Sequence, residues 1–189
     1  LFVKGSGWDL ATIEPEGHPA TRLAPLRKMR SLKSLSDEDM VSMQRLNLLD
    51  PSSPNPSVET LLHAFLPHKF IDHTHSISLL AIADQLNSEK LCEEIYGKRV
   101  AVVPYVMPGF DLALIAANYF DKANEEAKKL NIELEGMILL KHGIFSFGDT
   151  AKQSYKRMIK LVKESENFLK RKVNLMIRNS KEENSILIQ

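Results

Sequence analysis

With 189 residues, 43% of them hydrophobic and 26% charged, the chain has an ordinary globular composition and enough length to bury one sizeable core. Lys and Arg number 25 against 24 Asp and Glu, a formal charge of +1, so no electrostatic footprint points to nucleic acid or an anionic membrane. The single cysteine, Cys92, excludes an internal disulfide and fits a reducing compartment such as the cytoplasm, and no apolar run approaches the ~20 residues of a membrane helix.

The opening LFVKGSGWDL is no signal peptide; lacking an initiator Met, it reads as the start of a segment inside a longer natural chain, without its N-terminal part. LFVKGSG predicts a strand running into a glycine-rich turn, and residues 10–25 alternate apolar and turn residues as a hairpin does. Residues 25–49 are helix-prone and amphipathic, with Ser36 and Asp37 placed to cap the second half. The proline-rich loop DPSSPNPS (50–57) precedes a short helix, VETLLHAFL, with Ser57 as N-cap and Pro67 as stop. KFIDHTHS (69–76) predicts a strand, ISLLAIADQLN a helix, RVAVVPYV a short strand, and residues 110–130 a long helix. LEGMILLKHG (134–143) is a buried strand, and the tail from Asp149 to about Asn179 one long helix. This alternation predicts a single α/β domain over residues 1–189 with a layered core.

FIDHTHS is the stretch that carries chemistry. Positions i and i+2 of a strand share a face, so His73 and His75 are able to reach one cation, and neutral imidazole is a frequent zinc ligand. A pair of partly exposed histidines at a strand end is the plainer alternative. His142 follows the apolar strand and precedes Gly143, which suits a turn at the edge of a cleft; three imidazoles would make an open zinc site. Glu59 opens a helix after a serine-containing loop, where a carboxylate is favoured by the helix dipole; it is a candidate base, and spacing alone favours a simple first-turn helix carboxylate. FIDHTH also looks like the first-strand motif of the amidohydrolases, but a TIM barrel takes ~250 residues, and only 114 follow His75.

Taken in order, PSVETLLHAF (56–65), FIDHTHS (70–76) and LLKHGIFSFGDT (139–150) resemble the class II aldolase/adducin family. The likeness runs from residue 2 to about 165. It is greatest to the rhamnulose-1-phosphate aldolase domain of bifunctional aldolase/short-chain dehydrogenase proteins, with VKGSGWDLATI and RLAPLRKM adding to it. The resemblance implies a three-layer α/β/α fold with a mostly antiparallel sheet, a homotetramer with its site near a subunit interface, and a zinc-dependent lyase. That lyase would cleave a ketose 1-phosphate to dihydroxyacetone phosphate and an aldehyde through a metal-stabilised enediolate. The resemblance puts the zinc on His73, His75 and His142, the catalytic carboxylate on Glu59, and the phosphate on Ser6, Gly7 and Ser57. Where phosphosugar members often carry a second serine before the glutamate, this chain has Val58. A related epimerase tends to replace that glutamate, and the adducin type is a scaffold that has lost the histidines; both differ from this sequence. A dehydratase-like lyase is compatible with it.

The remaining polar residues are read more plainly. His63, four residues after Glu59, is placed to orient it or to serve structurally; Asp72 is a candidate partner for a ligand imidazole. His18 and His68 read as turn and surface residues, and Lys4 and Lys141 either as plain solvated lysines, the commoner case, or as cations assisting an anionic substrate.

Overall fold

Leu1–Gly5 does not become a sheet strand. In the computed structural model, which describes residues 1–186, it pairs only by isolated bridges, Phe2 with Ala20 and Gly5 with Pro56. The backbone bonds Val3 N–H to Pro19 O (3.2 Å), Gly5 N–H to Gly17 O (2.7 Å) and Thr21 N–H to Leu1 O (2.8 Å) hold it against the following segment. The expected hairpin is thus a loose pairing of residues 1–5 with 17–21, and 10–25 contain a 3-10 turn at Pro15–Gly17 instead of two strands.

The chain packs as two compact units, the first made of Leu1–Pro67 with Val106–Lys122 and the second of His68–Tyr105 with the described residues from Ala123 on. In the first unit the helix expected over 25–49 is broken. Helix α1 (Leu23–Lys28) runs into a 3-10 turn, Met29–Ser31, and helix α2 (Asp37–Leu46) starts afresh. The first stretch ends where Leu32 turns to extended backbone, and Ser36 starts the second: in extended conformation, its hydroxyl accepts from Asp39 N–H. Asp37, Glu38 and Asp39 then occupy the first turn, where the dipole favours negative charge. Helix α3 (Thr60–Phe65) is short because Pro67 follows, and Arg27 of α1 caps its orphaned carbonyls by donating to Ala64 O (3.1 Å) and Leu66 O (3.4 Å). Leu26, Met29, Leu61, Leu62 and Phe65 are buried in this unit.

The second unit holds the sheet. Strand β1 (Phe70–Thr74) is followed by helices α4 (Ile77–Ala83) and α5 (Ser88–Tyr96), then strand β2 (Val100–Val103). Helix α6 (Phe110–Lys129), which belongs to the first unit as far as Lys122, leads to strands β3 (Gly136–Leu139) and β4 (Gly143–Gly148), and helix α7 (Ala151–Ile186) ends the described chain. The strand order is β1-β4-β3-β2, antiparallel except for the β2–β3 pair, so the sheet is mixed and mostly antiparallel, as expected, and helices flank it. β3 and β4 are buried at every position, which is why β3 reads as a continuous apolar run instead of an alternating one.

Helices α4, α5 and α7 close over the sheet around Leu79, Ile82, Tyr96, Ile138, Ile144, Leu161 and Phe168. Burial pushes the Tyr96 hydroxyl far above its ordinary pKa, so it stays protonated and donates to Leu161 O (3.2 Å). Arg99 ties the same unit together, donating to Glu135 (2.9 Å) and Glu164 (2.6 Å), while Lys160 also bonds Glu135 (2.7 Å). Leu161 is fully buried in this cluster. Leu161→Ala is expected to lower unfolding stability by roughly 2–5 kcal/mol, measured by denaturant titration. A loss below about 1 kcal/mol would mean that this part of the core is not closely packed.

Candidate metal centre

β1 brings His73 opposite Phe145 of β4, and Thr74 opposite Ile144. The strand ends at Thr74, so His75 lies just past it and is exposed, while His73 is half-buried. The two rings nevertheless converge as the i, i+2 spacing implies: their Nε2 atoms are 2.9 Å apart and their planes are 74° to one another. His142 enters from the loop joining β3 to β4. Its ring centroid is 5.4 Å from that of His73 and 5.0 Å from that of His75. Ligand-capable nitrogens of all three lie within 4.8 Å of one another.

The donor set fits a divalent cation. His73 Nδ1 is 2.9 Å from the carbonyl oxygen of Ile144, which only accepts, so Nδ1 carries the proton and Nε2 presents its lone pair to the other imidazoles. Two ring nitrogens on a tetrahedral zinc are separated by about 3.3 Å, close to the observed Nε2–Nε2 spacing. Three neutral imidazoles also leave the charge of a cation undiminished, and the exposure of His75 leaves one side of the group open.

Gly143 is needed here for a reason other than the turn. The positive φ in the loop belongs to Lys141 (+60°), whereas a Cβ on Gly143 would lie 2.7 Å from Thr74 O, 2.7 Å from His75 Cδ2 and 2.9 Å from His73 Cε1. The glycine is the notch into which the His73 and His75 rings fit. Lys141 is exposed, with its ammonium 5.8 Å from the ring centre of Tyr105.

The other expected site residues lie in the first unit, on two adjoining segments. Ser6 N–H donates to Asn55 O (2.8 Å) and Ser57 N–H to Lys4 O (3.1 Å), which draws the KGSG turn alongside PNPS. Gly7 sits at φ +82°, a conformation that disfavours any side chain, and both it and Ser6 are exposed. Ser57 does act at a helix start, but two residues early: its Oγ accepts from Glu59 N–H (3.2 Å), and Glu59 occupies the N-cap position of α3. Glu59 is half-buried, and its carbonyl accepts from the N–H groups of Leu62 (3.0 Å) and His63 (3.4 Å).

Residues 1–168 match the family model for the class II aldolase and adducin N-terminal domain. The chain belongs to that family. It is 36% identical over 174 residues to an uncharacterized oxidoreductase of Bacillus subtilis (strain 168), YuxG, a match that covers 92% of this chain but only 24% of that protein's length. Among solved structures it is similar to the N-terminal class II aldolase domain of a conserved protein from Thermoplasma acidophilum. The identity there is 39% and the TM-score 0.79, with 89% of this chain and 74% of that one covered. L-fuculose-1-phosphate aldolase from Thermus thermophilus shares the fold at 17% identity, TM-score 0.54, over 90% of this chain and 77% of that one. Class II aldolases are metal-dependent, and the histidine group of this family member is one that could hold a metal ion.

Within this aldolase-family unit two minor expectations change. Asp72 alternates to the face of β1 opposite His73, and the ring nitrogen of His73 is held by the Ile144 carbonyl instead. His68 is not a surface residue: its ring stacks on Phe147 (4.5 Å, 6°), and burial lowers its pKa below the usual imidazole range. His18 is exposed as expected. Among the described residues no helix is long and apolar enough to cross a membrane.

Proposed function

We propose that the chain is a zinc-dependent aldolase that cleaves a ketose 1-phosphate, such as rhamnulose 1-phosphate, to dihydroxyacetone phosphate and an aldehyde. The observation that carries this reading is the convergence of His73, His75 and His142 beside an open face, in a chain of the class II aldolase family. A zinc ion held by those three imidazoles would supply Lewis-acid stabilisation for negative charge developing on substrate oxygens. Glu59 handles the proton on carbon. In cleavage the C3–C4 bond breaks, the pair of electrons stays with C3, and the Glu59 carboxyl group delivers the proton that completes dihydroxyacetone phosphate; condensation runs the same transfer backwards. The proton of the C4 hydroxyl passes to solvent water as the aldehyde forms, and solvent in turn reprotonates Glu59. Ser6, Gly7 and Ser57 receive the phosphate: Gly7 holds an exposed positive-φ turn, and serine hydroxyls are good donors to anionic oxygen. The natural protein acts as a cytoplasmic homotetramer in this reading. The redox function in the name of the Bacillus relative belongs to a protein of which this chain matches 24%, and is not carried over.

The test is release of dihydroxyacetone phosphate from rhamnulose 1-phosphate by the purified chain, before and after chelation and after zinc is restored. Release that chelator abolishes and zinc restores is the expected result. Release indifferent to chelator would overturn the metal dependence. A zinc-loaded, well-folded protein without release would overturn the substrate, and would turn attention to the related epimerase and dehydratase reactions.

A further inference from the structure

We infer that the Gly143–Ile144–Phe145 run of β4 is a positioning seat for the His73 imidazole, one that fixes its tautomer and ring plane before any cation arrives. The inference rests on the metal reading above and deepens it. Three contacts of different physical kinds meet on this one ring. The Ile144 carbonyl, 2.9 Å from Nδ1, selects the tautomer by accepting its proton. The Phe145 ring lies 4.1 Å from the His73 ring at 17°, a stacked contact that resists tilting. Gly143 gives the ring edge room that no other residue would, with His73 Cε1 only 2.9 Å from where a Cβ would stand.

The seat is rigid because its parts are. Ile144 and Phe145 are fully buried, and both are locked in register on two sides, against β1 at Thr74 and His73 and against β3 at Ile138 and Met137. A side chain at position 143 would meet the Thr74 backbone carbonyl at 2.7 Å, as near as His75 Cδ2, and the carbonyl cannot rotate away as a flexible side chain would. Alanine there would have to part the strands or push both ligand rings. Ordinary packing explains a buried aromatic on a strand, but not the coincidence that all three consecutive residues contact the same imidazole and leave its Nε2 aimed at His75 Nε2. Groups that orient a metal-binding histidine commonly change metal affinity ~10–100-fold when altered.

Two measurements on the whole chain test the seat. Long-range ¹H–¹⁵N spectra of the chelator-treated wild type are expected to show His73 in the Nδ1–H tautomer; an Nε2–H tautomer would overturn the inference. Zinc affinity is then compared by competition with a chromophoric chelator. Phe145→Leu, which leaves the backbone and the Ile144 bond in place, is expected to bind zinc about tenfold more weakly, and Gly143→Ala more weakly still. Thermal unfolding in chelator separates this from general destabilisation, and Phe145→Leu carries the test if the Gly143→Ala chain does not fold. Folded variants that bind within about threefold of wild type would overturn the positioning role. A wild type with no zinc affinity would overturn the metal reading and the seat's purpose with it, whereas the tautomer measurement reports on the seat alone.

Discussion

His142→Ala should yield a folded protein that no longer retains zinc. The residue lies in the three-residue loop between β3 and β4, outside both strands, and its side chain is half-buried, so its loss leaves the sheet's hydrogen bonds untouched. Zinc binding by four-ligand structural sites is worth ~10–16 kcal/mol, or about 3–4 kcal/mol per ligand. Removing one imidazole from a group of three should therefore weaken binding by about 10²–10³-fold. Metal content after dialysis is expected to be about one zinc per chain for wild type and none for the variant, with little change in thermal unfolding once both are chelated. His75→Ala should behave alike, since that side chain is exposed and its loss disturbs no core. His73→Ala is the poorer test of metal binding, because it also vacates the seat against Phe145. A His142→Ala chain that keeps its zinc at wild-type affinity would show that the cation is held elsewhere.

The parts of this site that are legible in the sequence are those whose geometry depends on spacing. H-x-H brings two rings to one side whether or not the second residue is still within the strand, which is why the strand's early end at Thr74 does no harm. A histidine at the end of an apolar strand is likewise enough to bring His142 to the same place. What supports these histidines is not legible. GIFSFG does not read as a strand because it is buried throughout and shows no alternation, yet it is β4, the strand that pairs with β1 on one side and β3 on the other. Helix α5 also escapes the sequence reading, its short span SEKLCEEIY burying only Ser88, Cys92 and Tyr96. Gly143 suggests a turn, but the turn depends on Lys141; the glycine answers a close approach of two rings from a segment that lies 68 residues earlier. In the opposite direction, LFVKGSG has a strand's composition but finds only isolated bridges, since propensity without a partner strand does not build a ladder.

Glu59→Gln is expected to separate holding the metal from turning over the substrate. The two side chains are nearly isosteric, and the structural duties of residue 59 are performed by its backbone, whose N–H donates to Ser57 Oγ and whose carbonyl receives the first bonds of α3. The substitution should therefore leave α3 and the second unit's histidine group as they are. It does remove a carboxylate able to take and return a proton, a contribution of ~10²–10⁴-fold in rate. We expect kcat for dihydroxyacetone phosphate release to fall by that factor with KM little changed and zinc content preserved. An independent readout is exchange of the C3 proton of dihydroxyacetone phosphate with deuterium in D₂O, which requires the carbon acid–base step and no aldehyde. Exchange should fall in parallel with turnover if Glu59 carries the proton. Loss of zinc together with activity would instead make Glu59 a ligand, and exchange at the wild-type rate would assign the proton to another group.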